Sequence, residues 1–340
     1  MWECVHRTTG VRYAAKIMDR RKLSARDDDL VYLEVSTLSQ IRGGAFSLSK
    51  LKDFYDEETH FYIIMDFADG GDLLTTLVQR QKLPEHEAEK LAKSLLQGLI
   101  YLHKNKICHR NLKPENLLLK NKQDLSTIVI ADFGMAARLV TDADGDVLNL
   151  IDRCGTATFM APEVISQIPY DTQVDMWSVG VIMYYALSGI YPFEDSSRQM
   201  LYHKICKNDY SFHPIDWLGI SKTAKRFISN LLHTDPDVRM TAEEALGHPW
   251  LAAHIPPVVV LPKASSAAEM PLDTPKGRKS GKAASGRKFK GVWRAMTKRK
   301  SDGPGEAEHI DDSKSISSQT VSVLSSDVAS DLGHRRRGPK

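Results

Sequence analysis

The sequence predicts an α+β chain of two lobes, a small β-rich N-terminal lobe and a larger helical one, and three observations carry that reading. Residues 11–19 (Val11, Tyr13, Ile17) and 61–67 (Phe61, Tyr62, Ile63, Ile64, Phe67) are rich in β-formers and read as strands. Between them, Leu30-Val31-Tyr32-Leu33-Glu34-Val35-Ser36-Thr37-Leu38 has helical spacing. From Pro84 onward the pattern turns helical: Leu91, Leu95, Leu99 and Leu102 share one face, and Glu85, Glu87 and Glu89 crowd the N-terminal turn, where the helix dipole favours acids. Gly70-Gly71 marks the joint, so the small lobe is expected over 1–68 and the large one over 69–251. Beyond Leu251 the chain is rich in Pro, Ser, Lys and Gly. A linker is expected over 252–285, a basic segment over 286–300 and a disordered Ser/Asp-rich tail over 301–340.

At 340 residues and 42% hydrophobic content, the chain can fill a sizeable core. Its net charge of +3 hides a division. Residues 1–262 hold 29 Lys and Arg against 34 Asp and Glu, whereas 263–300 hold 12 against 2. A mildly acidic globule thus carries a strongly basic strap. Cys4, Cys108, Cys154 and Cys206 are far apart and form no CxxC pair, which argues against a zinc site or disulfide framework and suits a reducing compartment. Small buried hydrophobes are the simpler reading of all four. The longest apolar run, Val179 to Leu187, is too short to span a bilayer, and the N-terminus lacks the positive-then-apolar order of a signal peptide. A soluble, cytoplasmic monomer is expected.

The densest chemistry lies in His109-Arg110-Asn111-Leu112-Lys113-Pro114-Glu115-Asn116, which follows the HRDLxxxN pattern of a phosphoryl-transfer loop with an amide in place of its acid. Asp132-Phe133-Gly134 begins 16 residues after Asn116, and Ala161-Pro162-Glu163 begins 27 after Gly134. Order and spacing are those of DFG and APE. On these residues the chain resembles the eukaryotic serine/threonine protein kinases; Lys113 favours that branch, since tyrosine kinases usually carry Ala there. The resemblance implies a two-lobed protein kinase fold over 1–251.

It also implies roles. Phosphoryl transfer needs ATP positioned, its charge neutralised by metal and the acceptor hydroxyl oriented. Ala14-Ala15-Lys16 resembles the AxK of a nucleotide-binding strand, with Lys16 on the α/β-phosphates and Glu34, 18 residues on, as its partner. Read alone, a surface lysine and a helical acid would serve as well; the downstream motifs favour the ion pair. By the same resemblance Asp132 and Asn116 are Mg²⁺ ligands, Met65 is the gatekeeper, Asp66 and Ala68 form the hinge that meets adenine, Asp72 is a ribose ligand and Leu118 the apolar floor. Thr156 resembles the threonine that bridges Lys113 and the catalytic position, here Asn111. Asp175-Met176-Trp177-Ser178-Val179-Gly180 matches a buried DxWSxG helix, and Arg239 is expected to pair with Glu163. Asp152 stands four residues before Thr156, where a carboxylate would pair with Arg110 without phosphorylation; a solvated loop acid is the alternative.

Two features depart from the pattern. No GxGxxG precedes Lys16, and Met1-Trp2-Glu3-Cys4-Val5 resembles the second strand of the fold, so the first strand and glycine turn are expected to be absent. Asn111 keeps the size of Asp but cannot accept a proton at neutral pH.

In the strap, Phe289, Trp293 and Met296 fall at offsets 0, 4 and 7 among Arg287, Lys288, Lys290, Arg294, Lys298, Arg299 and Lys300. That is one face of a basic amphipathic helix, the form calmodulin targets take. Residues 286–291 resemble the strap of calcium/calmodulin-dependent kinases; a membrane-surface or nuclear-import patch is the alternative. No aromatic platform points to nucleic acid. Asp72 and Glu115 stand where acids meet a substrate Arg, and Arg294-Ala295-Met296-Thr297 offers an RxxT. The sequence thus reads as a Ser/Thr kinase-like protein of the calcium/calmodulin-dependent type that binds ATP and Mg²⁺ with phosphotransfer severely impaired. An active kinase whose N-terminus is missing, and a non-catalytic calcium-responsive scaffold, are the rival readings.

Overall fold

A computed structural model describes residues 1–41, 47–141, 147–252 and 293–298. Backbone proximity divides the chain into Met1–Gly303 and Pro304–Lys340, and every described residue lies in the first unit. The expected linker (252–285, but for Ala252) and tail (301–340) fall outside the described residues.

The elements in chain order are β1 (Trp2–His6), β2 (Arg12–Asp19), α1 (Ala25–Gln40), β3 (Leu51–Asp56), β4 (His60–Asp66), α2 (Leu73–Arg80), α3 (Glu85–Lys104), β5 (Ile107–Cys108), β6 (Leu117–Leu119), β7 (Ile128–Ile130), β8 (Ala137–Arg138), β9 (Val140–Thr141), β10 (Val147–Leu148), α4 (Pro162–Ile165), α5 (Gln173–Ser188), α6 (Arg198–Lys207), α7 (Lys222–Leu231), α8 (Ala242–Leu246), α9 (Pro249–Ala252) and β11 (Trp293–Lys298). A five-stranded antiparallel sheet, ordered β11-β1-β2-β4-β3, makes the small lobe, with α1 packed on it. The helices from α2 to α9 make the larger one. The two strands and two helices read from the sequence are all present within a few residues of their expected ends; β3 went unread because Leu51–Asp56 alternates poorly.

Local chemistry sets the boundaries. Ser24 caps α1 and Asp27 returns the bond to the Ser24 amide, a reciprocal cap that satisfies two helix-end donors. Asp72 caps α2 through the Thr75 amide (2.8 Å). Between sheet and helices the chain needs glycine: a Cβ at Gly70 would sit 2.7 Å from Leu119, and Gly71 lies at φ +84°.

In the large lobe α5 is apolar on every side because it is buried on every side, from Val174 to Ser188 save Tyr185. Gly180 lets it approach α7, since a Cβ there would lie 2.7 Å from Leu232. Beneath it the Arg239 guanidinium, buried, makes a two-pronged bond to Glu163 (2.6 and 3.0 Å) and further bonds to the His233 and Gln173 carbonyls. The pair foreseen from sequence is therefore fully hydrogen-bonded, as a buried charge must be.

One segment differs from expectation. Trp293–Lys298 is an extended strand beside β1, not the helix that the offsets of Phe289, Trp293 and Met296 predict; Phe289 lies outside the described residues. The physical reason is the antiparallel pairing with β1, which supplies inter-strand backbone partners that an isolated helix lacks.

Arg239→Ala is expected to cost about 3–5 kcal/mol, because Glu163 would be left charged and unpaired in the core. Urea denaturation measures it, and a loss below about 1 kcal/mol would show that the pair is not what holds α4 to the segment after α7.

Candidate active site

The β6–β7 hairpin builds the floor of the cleft. Its register pairs Leu117 with Ile130 and Leu119 with Ile128, so Asn116 before it and Asp132 after it emerge at the same end. The Ala131 amide donates to the Asn116 carbonyl (2.8 Å) and closes that end. Above, the register of β2 on β4 sets Ala14 opposite Met65 and Lys16 opposite Ile63. Lys16 thereby points at α1, where its ammonium donates to both Glu34 carboxylate oxygens (2.9 Å each) and to Asp132 (3.1 Å). Three residues separated by 116 positions meet on one nitrogen.

The electrostatics follow from burial. Desolvation alone would lower the Lys16 ammonium, but Glu34 and Asp132 outweigh it and hold it above its ordinary value. Asp132 is pushed up by burial and pulled further down by Lys16, ending below the usual carboxylate range. Burial raises Glu34, with Lys16 opposing. We take the ionised triad as the state at neutral pH, since each charge has a partner within hydrogen-bonding distance.

The loop that follows is fixed from below. Asp175 of α5 accepts from the His109 amide (2.9 Å), the Arg110 amide (2.9 Å) and His103 Nε2 (3.0 Å). Arg110 sits at φ +64°, a left-handed conformation that a bulky residue adopts only when held. Beyond it, Asn111 is buried: Thr156 donates to its Oδ1 (3.2 Å), and Asn116 Nδ2 donates to its carbonyl (2.8 Å). Gly155 permits that approach, because it lies at φ +102° and a Cβ would meet the Arg110 carbonyl at 2.6 Å.

The other residues singled out from sequence are placed as follows. Ala14, Met65 and Ala68 are buried, Leu118 is half-buried and bridged to Asp72, and Asp66 is exposed at the end of β4. Asp72 gives one oxygen to the Thr75 amide and the other to the Thr75 hydroxyl (3.0 Å), so helix capping occupies both. Lys113 Nζ lies 3.8 Å from Glu115, and Glu115 Oε2 is buried without a hydrogen-bond partner. Arg110 and Asp152 approach to only 3.8 Å with Asp152 at 74% exposure, a contact that water screens; Arg110 is held instead by the Met135 carbonyl (2.6 Å) and the Tyr170 hydroxyl (3.4 Å).

Sequence reasoning did not find His109 as a hub. It is fully buried, donates from Nε2 to the Ala131 carbonyl (3.1 Å) and meets Phe133 edge-on at 5.1 Å, linking the two halves of the site. Its signal was only its place one residue before Arg110. Nor did it find His103, which was hidden on the helical face of α3.

The comparisons agree with this geometry. The family model described as Protein kinase domain matches residues 1–251. The calcium/calmodulin-dependent protein kinase type I of Schizosaccharomyces pombe is 39% identical over 75% of this chain and 75% of its own length. The calcium/calmodulin-dependent protein kinase type 1 of Caenorhabditis elegans is 37% identical over 72% and 68%, and the human serine/threonine-protein kinase H1 is 37% identical over 73% and 57%.

Burial pushes the His109 imidazole below its ordinary value against the pull of Asp175, so the folded protein holds it neutral. The unfolded chain takes up that proton near pH 6.5. Its stabilising contribution is therefore complete above about pH 6.5 and is lost as pH falls from there toward the depressed folded value. Melting temperature should drop between pH 7.5 and 5.5, and His109→Phe should flatten the drop, leaving the part due to His248, which is also depressed. An unchanged slope would mean that His109 stays accessible to protons.

The fold, a family model that covers residues 1–251 and relatives at 37–39% identity show that this chain belongs to the protein kinase family, in its serine/threonine branch.

Proposed function

We propose that this chain is a calcium/calmodulin-dependent type of kinase domain that binds Mg²⁺ and ATP but transfers phosphate poorly to protein Ser or Thr. The observation that carries the nucleotide half is the Lys16–Glu34–Asp132 triad, an assembly with an ammonium facing a cleft and a carboxylate beside it. Ala14 from above and Leu118 from below supply apolar surfaces for adenine, with Met65 closing the rear and the backbone at Asp66 and Ala68 as hinge. Asp132 and Asn116 offer a carboxylate and an amide oxygen at one end of the hairpin, hard donors that fit Mg²⁺. When bound, the metal would supply neutralisation of phosphate charge. Lys16 orients the α/β-phosphates, and Glu34 keeps Lys16 aimed at them. The ribose assignment of Asp72 requires it to share an oxygen with the cap of α2.

The transfer half fails at a single atom. Thr156, Asn116 and the Asp175 scaffold hold residue 111 where an acceptor hydroxyl would have to give up its proton, yet an amide oxygen cannot take one. The geometry favours Asn111 over any distortion of the loop as the lesion. Among substrates, Glu115 is the better candidate for an upstream Arg, because its buried Oε2 lacks a partner whereas both Asp72 oxygens are taken. Calmodulin is the proposed partner of residues 286–300, on their basic-aromatic pattern and on the relatives' names. All four cysteines are free, in keeping with a reducing, cytoplasmic setting.

ATP with Mg²⁺ should raise the melting temperature more than ATP alone, and Lys16→Met should weaken binding at least about tenfold, the scale of one charge-assisted hydrogen bond. Equal melting with and without millimolar nucleotide would remove the binding half of the proposal.

Asn111→Asp should raise phosphate transfer to an RxxS/T peptide by about 10²-fold or more, and Glu115→Ala in that background should erase the preference for Arg. Radiolabel transfer measures both. Parent and Asn111→Asp turning over alike would place the lesion elsewhere.

A further inference from the structure

Helix α1 carries Glu34 to Lys16, yet apolar packing holds its N-terminal half only loosely. From Asp27 to Leu33 the one buried side chain is Val31, and Leu30 and Leu33 are each 43% exposed. Polar contacts hold this half instead, and they meet at Arg20, the residue that follows β2. Its amide donates to the Thr59 carbonyl (3.0 Å), and its guanidinium lies over the Phe61 ring, 4.3 Å from the centroid. From there Nη2 donates to Asp28 of α1 (2.8 Å), while Nη1 donates to Asp56 at the end of β3 (2.6 Å) and reaches the Glu57 carbonyl (3.4 Å). Asp56 accepts on its other oxygen from the Tyr32 hydroxyl (2.5 Å). The Tyr32 ring in turn meets Phe61 and Phe54 edge-on, at 5.6 and 6.0 Å.

These four side chains close a ring. Asp28 and Tyr32 are neighbours on α1, one turn apart, whereas Arg20 and Asp56 are fixed to the ends of two strands. A helix held at one point can turn about it; held at two points a turn apart, against two strands, it cannot. Glu34 lies two residues beyond Tyr32, so the rotation that the ring fixes is the rotation that aims Glu34 at the Lys16 ammonium. We propose that Arg20 is a positioning residue: through Asp28, Asp56 and Tyr32 it sets the rotation of α1 and so keeps Glu34 on Lys16. That Lys16 then serves ATP rests on the nucleotide reading above; the aiming of Glu34 does not. A lone ion pair would be too weak for this task, since Arg20, Asp28 and Asp56 are 29%, 27% and 40% exposed. Here one guanidinium serves two carboxylates and an aromatic face together.

The test uses the full chain with Arg20→Ala, Arg20→Lys, Tyr32→Phe, Glu34→Ala and the combination of Arg20→Ala with Glu34→Ala. The first readout needs no nucleotide: the rate at which an acylating reagent labels the Lys16 amine, followed by mass spectrometry. Arg20→Ala should raise that rate at least about threefold, the scale of a partly exposed charged network, and Arg20→Lys, which keeps the charge but not the fork, should undo part of the rise. The second readout is the affinity for ATP with Mg²⁺ by calorimetry, which should fall by a similar factor in Arg20→Ala. Coupling separates aiming from mere stability. The combined variant should label and bind like Glu34→Ala alone, because Arg20 then has nothing left to aim. Lys16 labelling that stays at the parent rate in Arg20→Ala, even with a lowered melting temperature, would overturn the proposal, as would an Arg20→Ala effect of equal size with and without Glu34. A parent that binds no ATP would remove the nucleotide reading, and labelling would still decide the role of Arg20. Tyr32→Phe, which deletes one hydroxyl and keeps the ring, should shift labelling in the same direction and decides the matter if Arg20→Ala folds poorly.

Discussion

Asp175 is the constraint on which the site depends. Its carboxylate is buried inside α5 and is met by three donors: the backbone amides of His109 and Arg110 and the ring of His103. Burial pushes the group up, but those bonds and the nearby imidazoles bring it below the usual carboxylate range, so it is charged where it is least hydrated. That charge holds two successive amides pointing down and forces Arg110 into the left-handed region. Once Arg110 is turned, Asn111 has one direction available, toward Thr156 and Asn116. The position of Asn111 is thus set in part by a carboxylate 64 residues away.

The contrast between Asn111 and its surroundings is informative. Around it stand a complete scaffold, a satisfied Thr156 bond and a DFG aspartate in an ion pair with Lys16. Asn and Asp are nearly isosteric, and Thr156 could donate to an oxygen of either, so the contact to residue 111 does not itself distinguish an amide from an acid. In the function proposed here, nucleotide binding and proton acceptance are separable: the first would depend on the Lys16–Glu34–Asp132 ions, the second on a basic lone pair that an amide lacks.

Edge strands expose unpaired backbone groups and need cover. Here β1 is covered by a strand from beyond the helical lobe, whose buried Trp293 fills a gap among Tyr13, Tyr55 and Cys4.

The sequence by itself determined much of the fold and several of the side-chain pairs in the candidate site. Periodicity gave α1 and α3, and β-former runs gave β2 and β4, since each is a local property written in consecutive residues. Motif spacing identified Lys16, Glu34, Asp132, Thr156 and the Glu163–Arg239 pair, because these side chains must sit on particular turns of particular elements. What only the tertiary structure decided was everything that depends on a partner distant in the chain. The burial and tautomer of His109, the capture of both Asp72 oxygens by Thr75, the unpaired oxygen of Glu115 and the looseness of the Arg110–Asp152 contact follow from packing, which no local pattern encodes. The strap shows the limit most plainly: offsets of 0, 4 and 7 specify a helix only if nothing better is offered, and pairing with β1 makes Trp293–Lys298 a strand.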